Sequence, residues 1–300
     1  MLAFITSLRH PKNAKDYAEV ESLLRDTLRS VTGQTSDDFV VIVVGNRAPS
    51  FPLPERVHFV EVNYPAPAPR NVRISRSPFI RDKGTKIGIG LIAARQFSPD
   101  YVMIFDADDF VHRGLAEFVG KNPGQDGWVI EEGWMYSRAR SAVRPQPNFN
   151  RTCGTSFIIP FEAYGVPPEL DVTATRSEVR AAYGERISKI IGAHKWADKW
   201  FADRGMHVQT LPFKGAVYHV DTGENHSRNV MSGKARPLSS ELAAEFGIRP
   251  VRGRLRTYWA CYASEPMASL DERLNPLTSP IARLIKRVYR GVRRRVRRAS

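Results

Sequence analysis

Short apolar runs alternate with amphipathic stretches along the first half of this chain. Residues 2–8 form an apolar run suited to a buried strand. Tyr17, Val20, Leu24, Leu28 and Val31 then recur at three- to four-residue steps with polar residues between them, which predicts an amphipathic helix over residues 14–31. Residues 39–44 are continuously apolar and end at Gly45-Asn46, and residues 57–62 form a third strand candidate. Strands that are apolar throughout are covered on both faces, so this order predicts a parallel sheet flanked by helices. The links are rich in proline (Pro49, Pro52, Pro54, Pro65, Pro67, Pro69), which holds them extended.

Farther along, Ile87, Leu91, Ile92 and Ala94 predict a helix over residues 85–97 despite Gly88 and Gly90. Residues 101–105 form a strand that runs directly into Asp106-Ala107-Asp108-Asp109. Shorter strands are expected at 128–130, 156–159, 207–211 and 216–220, with a helical stretch over 177–204 broken near Gly192. No internal repeat is visible. The strand–helix rhythm fades after residue 235, which gives an expected organisation of one α/β domain over 1–235, an extension over 236–280 and a terminal helix over 281–300.

Composition narrows the class. The 300 residues are 42% hydrophobic and 25% charged, which excludes disordered and collagen-like chains. No apolar run approaches the ~18 residues that span a bilayer. The first eight residues lack a basic stretch or a small-residue cleavage site, which argues against a secretory signal and for a cytoplasmic location. Two cysteines, Cys153 and Cys261, are too few for a disulfide framework. The net charge of +14 is uneven: residues 281–300 carry nine Lys/Arg and no acid, leaving +5 on the first 280 residues. That distribution weakens a reading in which the fold itself binds nucleic acid.

The acidic cluster is the sharpest chemical signal. In an open parallel sheet, ligands sit beyond the carboxyl ends of the strands. Three carboxylates in four residues at such an end suit a hard divalent cation, Mg²⁺ or Mn²⁺, shared with a diphosphate. One aspartate alone would be a helix cap. Three crowd like charge, which costs stability unless a cation offsets it.

Phe105-Asp106-Ala107-Asp108-Asp109 resembles the Asp-x-Asp motif of GT-A-fold glycosyltransferases, particularly the family 2-like bacterial enzymes. The likeness extends over about residues 1–230: the β-α-β opening, Gly45-Asn46, the lysine-bearing segment before the motif strand, and Gly223-Glu224-Asn225-His226-Ser227. It implies a GT-A-like, Rossmann-type α/β fold with a mostly parallel sheet. It makes Asp108 the main metal ligand, with Asp106 on the ribose or the metal, and places Thr6, Ser7 and Asn46 around the nucleotide. A late histidine, His219, would complete the metal shell, with His226 and Asp221 as competitors. The implied partners are a nucleotide-sugar donor, with UDP preferred, and a carbohydrate or lipid-linked acceptor.

Other positions follow from residue chemistry. Arg70, Arg73, Arg76, Arg81, Lys83 and Lys86 fall within seventeen residues, and Lys83 or Lys86 at a helix start suits a diphosphate. His194 stands about where the family carries a catalytic aspartate and can take a hydroxyl proton; Asp198 one turn later is the alternative base. Glu131, Glu132 and Trp134 offer carboxylates and an aromatic face to an acceptor sugar. Trp196 and Trp200, four residues apart, read as core packing. The small residues around Gly154 permit close approach of a ligand, and Cys153 reads as a packed thiol. Ile281, Leu284, Ile285, Val288, Val292 and Val296 repeat at helical spacing opposite arginines, which predicts a basic amphipathic helix at an anionic membrane surface. The expected activity is metal-dependent glycosyl transfer in surface polysaccharide or glycolipid synthesis. The alternatives are a sugar-phosphate nucleotidyltransferase, which wants a glycine-rich loop where residues 6–11 have none, and a polyanion-binding protein.

Overall fold

The computed structural model describes residues 1–69, 75–224, 229–231, 233–249 and 261. The expected terminal helix over 281–300, Arg70 and Arg73, and residues 225–227 lie outside the described residues.

The strands in chain order are β1 (Leu2–Ser7), β2 (Phe39–Gly45), β3 (Val57–Glu61), β4 (Tyr101–Ile104), β5 (Phe110–Val111), β6 (Trp128–Val129), β7 (Glu132–Ser137), β8 (Ala142–Pro147), β9 (Phe157–Pro160), β10 (Gln209–Thr210), β11 (Ala216–Val220) and β12 (Arg236–Pro237). Seven form one sheet in the order β10-β6-β9-β4-β1-β2-β3, and five form a second in the order β12-β8-β7-β11-β5. In the large sheet, β3, β2, β1 and β4 are parallel and β9 is antiparallel to β4 and β6. The expected α/β class with a mostly parallel core is the fold observed.

The helices are α1 (Tyr17–Val31), α2 (Ser77–Ala94), α3 (Leu115–Lys121), α4 (Phe149–Thr152), α5 (Arg176–Tyr183), α6 (Ala197–Ala202) and α7 (Ser240–Glu245), with a π-helical turn over Ile187–Ile191. Alternate residues of β1 enter two different cores. Leu2 and Phe4 meet Leu24, Leu28 and Val31 of α1, whereas Ala3 and Ile5 meet Ile87, Leu91 and Ala94 of α2. The sheet is therefore buried on both faces, which is why its strands show no alternation in sequence.

α2 begins eight residues before the predicted start. Its first turns carry little apolar periodicity because close approach replaces side-chain bulk. A Cβ on Gly84 would lie 2.6 Å from the carbonyl of Ile187, and one on Gly90 would lie 2.5 Å from Ile5. The stretch expected to be helical over 177–204 is divided into α5, the π-helical turn and α6; Gly184 (φ 56°) ends α5 and Gly192 ends the π turn.

The second sheet was not expected. β8 reads Ala-Val-Arg-Pro-Gln-Pro, and its two prolines and arginine hide a strand that is buried only over its first half. Phe110, Tyr136, Val143 and Val217 from this sheet form a third core with Leu242, Phe246 and Ile248, so residues 236–249 pack onto it. No helix among the described residues is long and apolar enough to cross a membrane.

Candidate active site

The acidic cluster is the hinge between the two sheets. Phe105 extends the ladder by donating its N–H to the Ile5 carbonyl (3.0 Å), and Asp109 N–H closes a turn onto the Asp106 carbonyl (3.0 Å). Phe110 and Val111 then enter the second sheet as β5. The turn lies at the carboxyl end of β4, beside β1, where the strand order reverses from β1-β2-β3 to β1-β4. That switch point opens the crevice in which open α/β sheets bind ligands.

The three aspartates are not equivalent. Asp109 is fully buried; its Oδ2 accepts from Thr155 Oγ1 (2.6 Å) and Cys153 Sγ (2.9 Å), and its Oδ1 accepts from His219 N–H (3.0 Å). Burial, with Asp108 and Asp106 beside it, holds its carboxyl well above the usual range. Burial and Asp109 likewise push the Cys153 thiol up, so Cys153 is a protonated donor. Nothing local in the chain marks the third aspartate as turning inward to brace the turn; Thr155 and Cys153 are forty-odd residues away and meet it on the approach to β9.

Asp106 and Asp108 stay partly exposed on the same turn. The Lys83 ammonium is hydrogen-bonded to Asp106 Oδ1. Burial alone would lower the Lys83 ammonium, but the Asp106 carboxylate outweighs it and holds it above its ordinary value. Burial and the charge of Asp106 push Asp108 up to about 7, against the opposing pull of Arg9 and Lys83. Arg9, just beyond β1, pairs with Glu224 (2.8 Å), whose other oxygen accepts the N–H groups of Lys15 and Asp16 (3.1 Å each). Thr222 Oγ1 lies 3.5 Å from Asp108 Oδ2, at the rim of a hollow of about 250 Å³ lined by Glu19, Leu23, Arg138, His219 and Asp221. Arg9, Thr222 and Thr155 were missed in the sequence, where each is a single polar residue in a loop.

Asp106, Asp109 and Cys153 each offer one ligand atom within 4.8 Å of the others, a candidate metal-binding group. Hard divalent cations prefer carboxylate oxygens to a protonated thiol. Asp106 and Asp108 offer such oxygens, and a nearby cation would offset the Asp106 charge that, after burial, drives Asp108 upward.

Several expected residues converge. A Cβ on Gly154 would lie 3.3 Å from Asp106 Oδ2, 3.3 Å from His194 Nδ1 and 3.5 Å from Lys83 Nζ, so three charged or titratable groups surround one glycine. Burial, then the nearby Lys83 charge, lowers the His194 imidazole, and its Nε2 is buried without a hydrogen-bond partner among the described residues. Thr6 and Ser7 end β1 and Asn46 follows β2, all on the crevice side of the sheet; Asn46 Nδ2 donates to the carbonyls of Val62 and Tyr64 (2.9 Å each).

Other expected residues sit elsewhere. Lys86 is fully buried and donates to Asp82 (2.8 Å) and to the Leu8 carbonyl (3.0 Å), one helical turn from Lys83 and directed at β1. The His219 ring packs between Phe110 (5.4 Å) and Tyr136 (5.2 Å), with Nδ1 3.1 Å from the Asp108 carbonyl. Asp198 accepts from Asn150 (3.1 Å) and pairs with Arg151 (3.2 Å). Glu131 accepts from Thr210, Glu132 from Lys214, and Trp134 lies under Lys214 and Arg236, a second cluster on and beside β7. Trp200 is core as expected, but Trp196 is 54% exposed, with Lys189 over its ring, because it stands at the start of α6 outside the packed face.

No family model matches the chain, and no curated protein matches it. Among solved structures it is similar to TarS of S. aureus (TM-score 0.37, 11% identity), covering 73% of this chain and 36% of that one, so it spans about a third of the TarS length. It is similar to a protein of Desulfovibrio desulfuricans G20 assigned to the nucleotide-diphospho-sugar transferases (TM-score 0.34, 11% identity, 81% of this chain and 93% of that one). It is also similar to the glycosyltransferase GlyE of Streptococcus pneumoniae TIGR4 (TM-score 0.34, 10% identity, 93% of this chain and 64% of that one).

Proposed function

We propose that the chain is a glycosyltransferase that moves a sugar from a nucleotide-diphosphate donor to a hydroxyl of an acceptor. One observation supports this reading: at the switch point of the sheet, Asp106 and Asp108 are partly exposed on one turn, with Lys83 paired to Asp106 and Arg9 near enough to pull on Asp108. Carboxylates braced beside cations suit a diphosphate held together with a metal ion.

In this reading Asp106 and Asp108 hold a divalent cation, Mg²⁺ or Mn²⁺, and Asp109 and His219 position the turn that carries them. The cation supplies neutralisation of the charge that develops on the leaving diphosphate. Lys83 and Arg9 hold the phosphates from either side. Thr6, Ser7 and Asn46 take the nucleoside, with uridine preferred. His194, neutral because it is buried beside Lys83, is the group to take the acceptor hydroxyl proton, and Asp198 orients α4 against α6 through Asn150 and Arg151. A lipid-linked acceptor would suit a membrane-surface role for residues 281–300.

The test is release of nucleoside diphosphate from a panel of sugar nucleotides with Mn²⁺. Asp106→Ala and His194→Ala are each expected to lower the rate at least ~100-fold. Full activity in both would refute the assignment.

A further inference from the structure

We propose that the hollow between the starts of α2 and α5 is a phosphate site, and that it takes a phosphate group borne by the acceptor glycan. The identity of the ligand as an acceptor rests on the glycosyltransferase reading; the phosphate chemistry does not.

The hollow has a volume of about 460 Å³ and is lined by Arg81, Arg176 and Arg180 with Pro65, Pro67 and Pro78. None of these arginines forms an ion pair among the described residues. Arg81 donates to Ser77 Oγ (2.5 Å) and Arg176 to the Pro65 carbonyl (3.3 Å), both neutral acceptors. The Arg176 Nε is buried without a hydrogen-bond partner among the described residues. The carboxylates on the two helices are engaged elsewhere: Asp82 holds Lys86, and Glu178 closes the capping box with Thr175. Three arginines therefore line one hollow with no carboxylate paired to them among the described residues, a surplus of positive charge that an anion would offset. Their planar forks match phosphate oxygens. The start of α2 adds to this, since its first turn has neither an acidic residue nor a side-chain cap.

Geometry separates this hollow from the acidic crevice. Arg81 and Lys83 are two residues apart on α2, which is about 200° around a helix. Lys83 pairs with Asp106, so Arg81 stands on the other face of α2, and Arg176 and Arg180 come to the hollow from α5. A ligand that touches both faces must be extended, which fits an acceptor chain rather than the donor. Pro65, Pro67 and Pro78 form the rest of its lining, and the hollow opens widely to solvent, so a phosphate on a large glycan can reach it.

The experiment compares binding of a pentamannose 6-phosphate with the same sugar after phosphatase treatment, using the full chain, Arg180→Glu, Arg81→Glu and the matching lysine variants. Arg180 is exposed, so its substitution leaves the core intact, and circular dichroism checks folding. Wild type is expected to bind the phosphorylated sugar at least ~10-fold more tightly than the bare one, with that preference lost in the Glu variants and partly kept in the Lys variants. Equal affinity for the two sugars, or a preference unchanged by the Glu variants, overturns the site. So does loss in the same variants of binding to 3:1 phosphatidylcholine–phosphatidylglycerol vesicles with no loss for the sugar. If wild type binds no sugar nucleotide with Mn²⁺ yet loses phosphosugar affinity in Arg180→Glu, the phosphate site stands and the glycosyltransferase reading falls.

Discussion

Thr155 donates a 2.6 Å hydrogen bond from its hydroxyl to Oδ2 of the buried Asp109. The same hydroxyl accepts the Asp106 N–H at 2.9 Å, so one side chain on the approach to β9 fixes both ends of the acidic turn. Thr155→Val keeps the shape and removes both bonds. Leaving a buried carboxylate short of a donor costs about 1–3 kcal/mol, so denaturant unfolding should show a loss of that size. A variant as stable as wild type would mean that the turn is not held this way.

Asp108 is predicted to destabilise the protein when no ligand is bound. Its carboxyl titrates near 7 in the folded state, against about 3.9 in the unfolded chain. The folded state therefore binds the proton more tightly, and stability falls as pH rises from about 4 through 7. Asp108→Asn should flatten that limb and be more stable than wild type at pH 8, by ~1–2 kcal/mol. Parallel pH profiles for the two proteins would contradict this.

His219 acts in the opposite direction. Burial, then the Arg138 charge, lowers its imidazole to about 3, whereas an unfolded histidine titrates near 6.5. The unfolded chain binds the extra proton, so the contribution of His219 is intact above about pH 6.5 and is lost as pH falls toward 3. The stability difference between wild type and His219→Gln should narrow steadily over that window, by up to ~4 kcal/mol. A difference independent of pH would show that the ring is not held neutral.

Gly154 is a predicted steric control on the site. A methyl group there would press on Asp106 Oδ2 and His194 Nδ1, each 3.3 Å away, and would touch Lys83 Nζ at 3.5 Å. Gly154→Ala should lower turnover about 10-fold or more through misplacement of those groups, with the melting temperature changed by no more than about 2 °C. Unchanged turnover would separate the three groups from the chemistry.

The legible part of this molecule is its parallel core. β1, β2, β3 and α1 are long apolar or strongly periodic segments, and burial on both faces of the sheet left that pattern uninterrupted. The acidic turn was legible too, because charge crowding after a buried strand is local in sequence. What escaped was tertiary. The second sheet is built from strands broken by Pro145, Pro147 and Arg144, and its core is completed by Leu242 and Phe246 from a segment with little rhythm. Lys83 and Lys86 look alike in sequence, yet one helical turn sends the first to Asp106 and the second into the core with Asp82. Trp196 and Trp200 diverge similarly, because Trp196 stands just before the short helix α6 and only Trp200, within it, packs into the core. Hydrogen bonds between residues forty or more apart, such as Thr155 to Asp109, leave no periodic trace.

The central claim is that Asp106 and Asp108 hold a cation together with the diphosphate of a sugar nucleotide. Its most direct test is thermal unfolding of wild type and Asp108→Ala with a panel of sugar nucleotides, each with and without Mn²⁺. One donor should raise the wild-type melting temperature by several degrees only when Mn²⁺ is present, with no rise in Asp108→Ala. A panel that leaves wild type unmoved, or a donor that stabilises both proteins equally, would contradict the account.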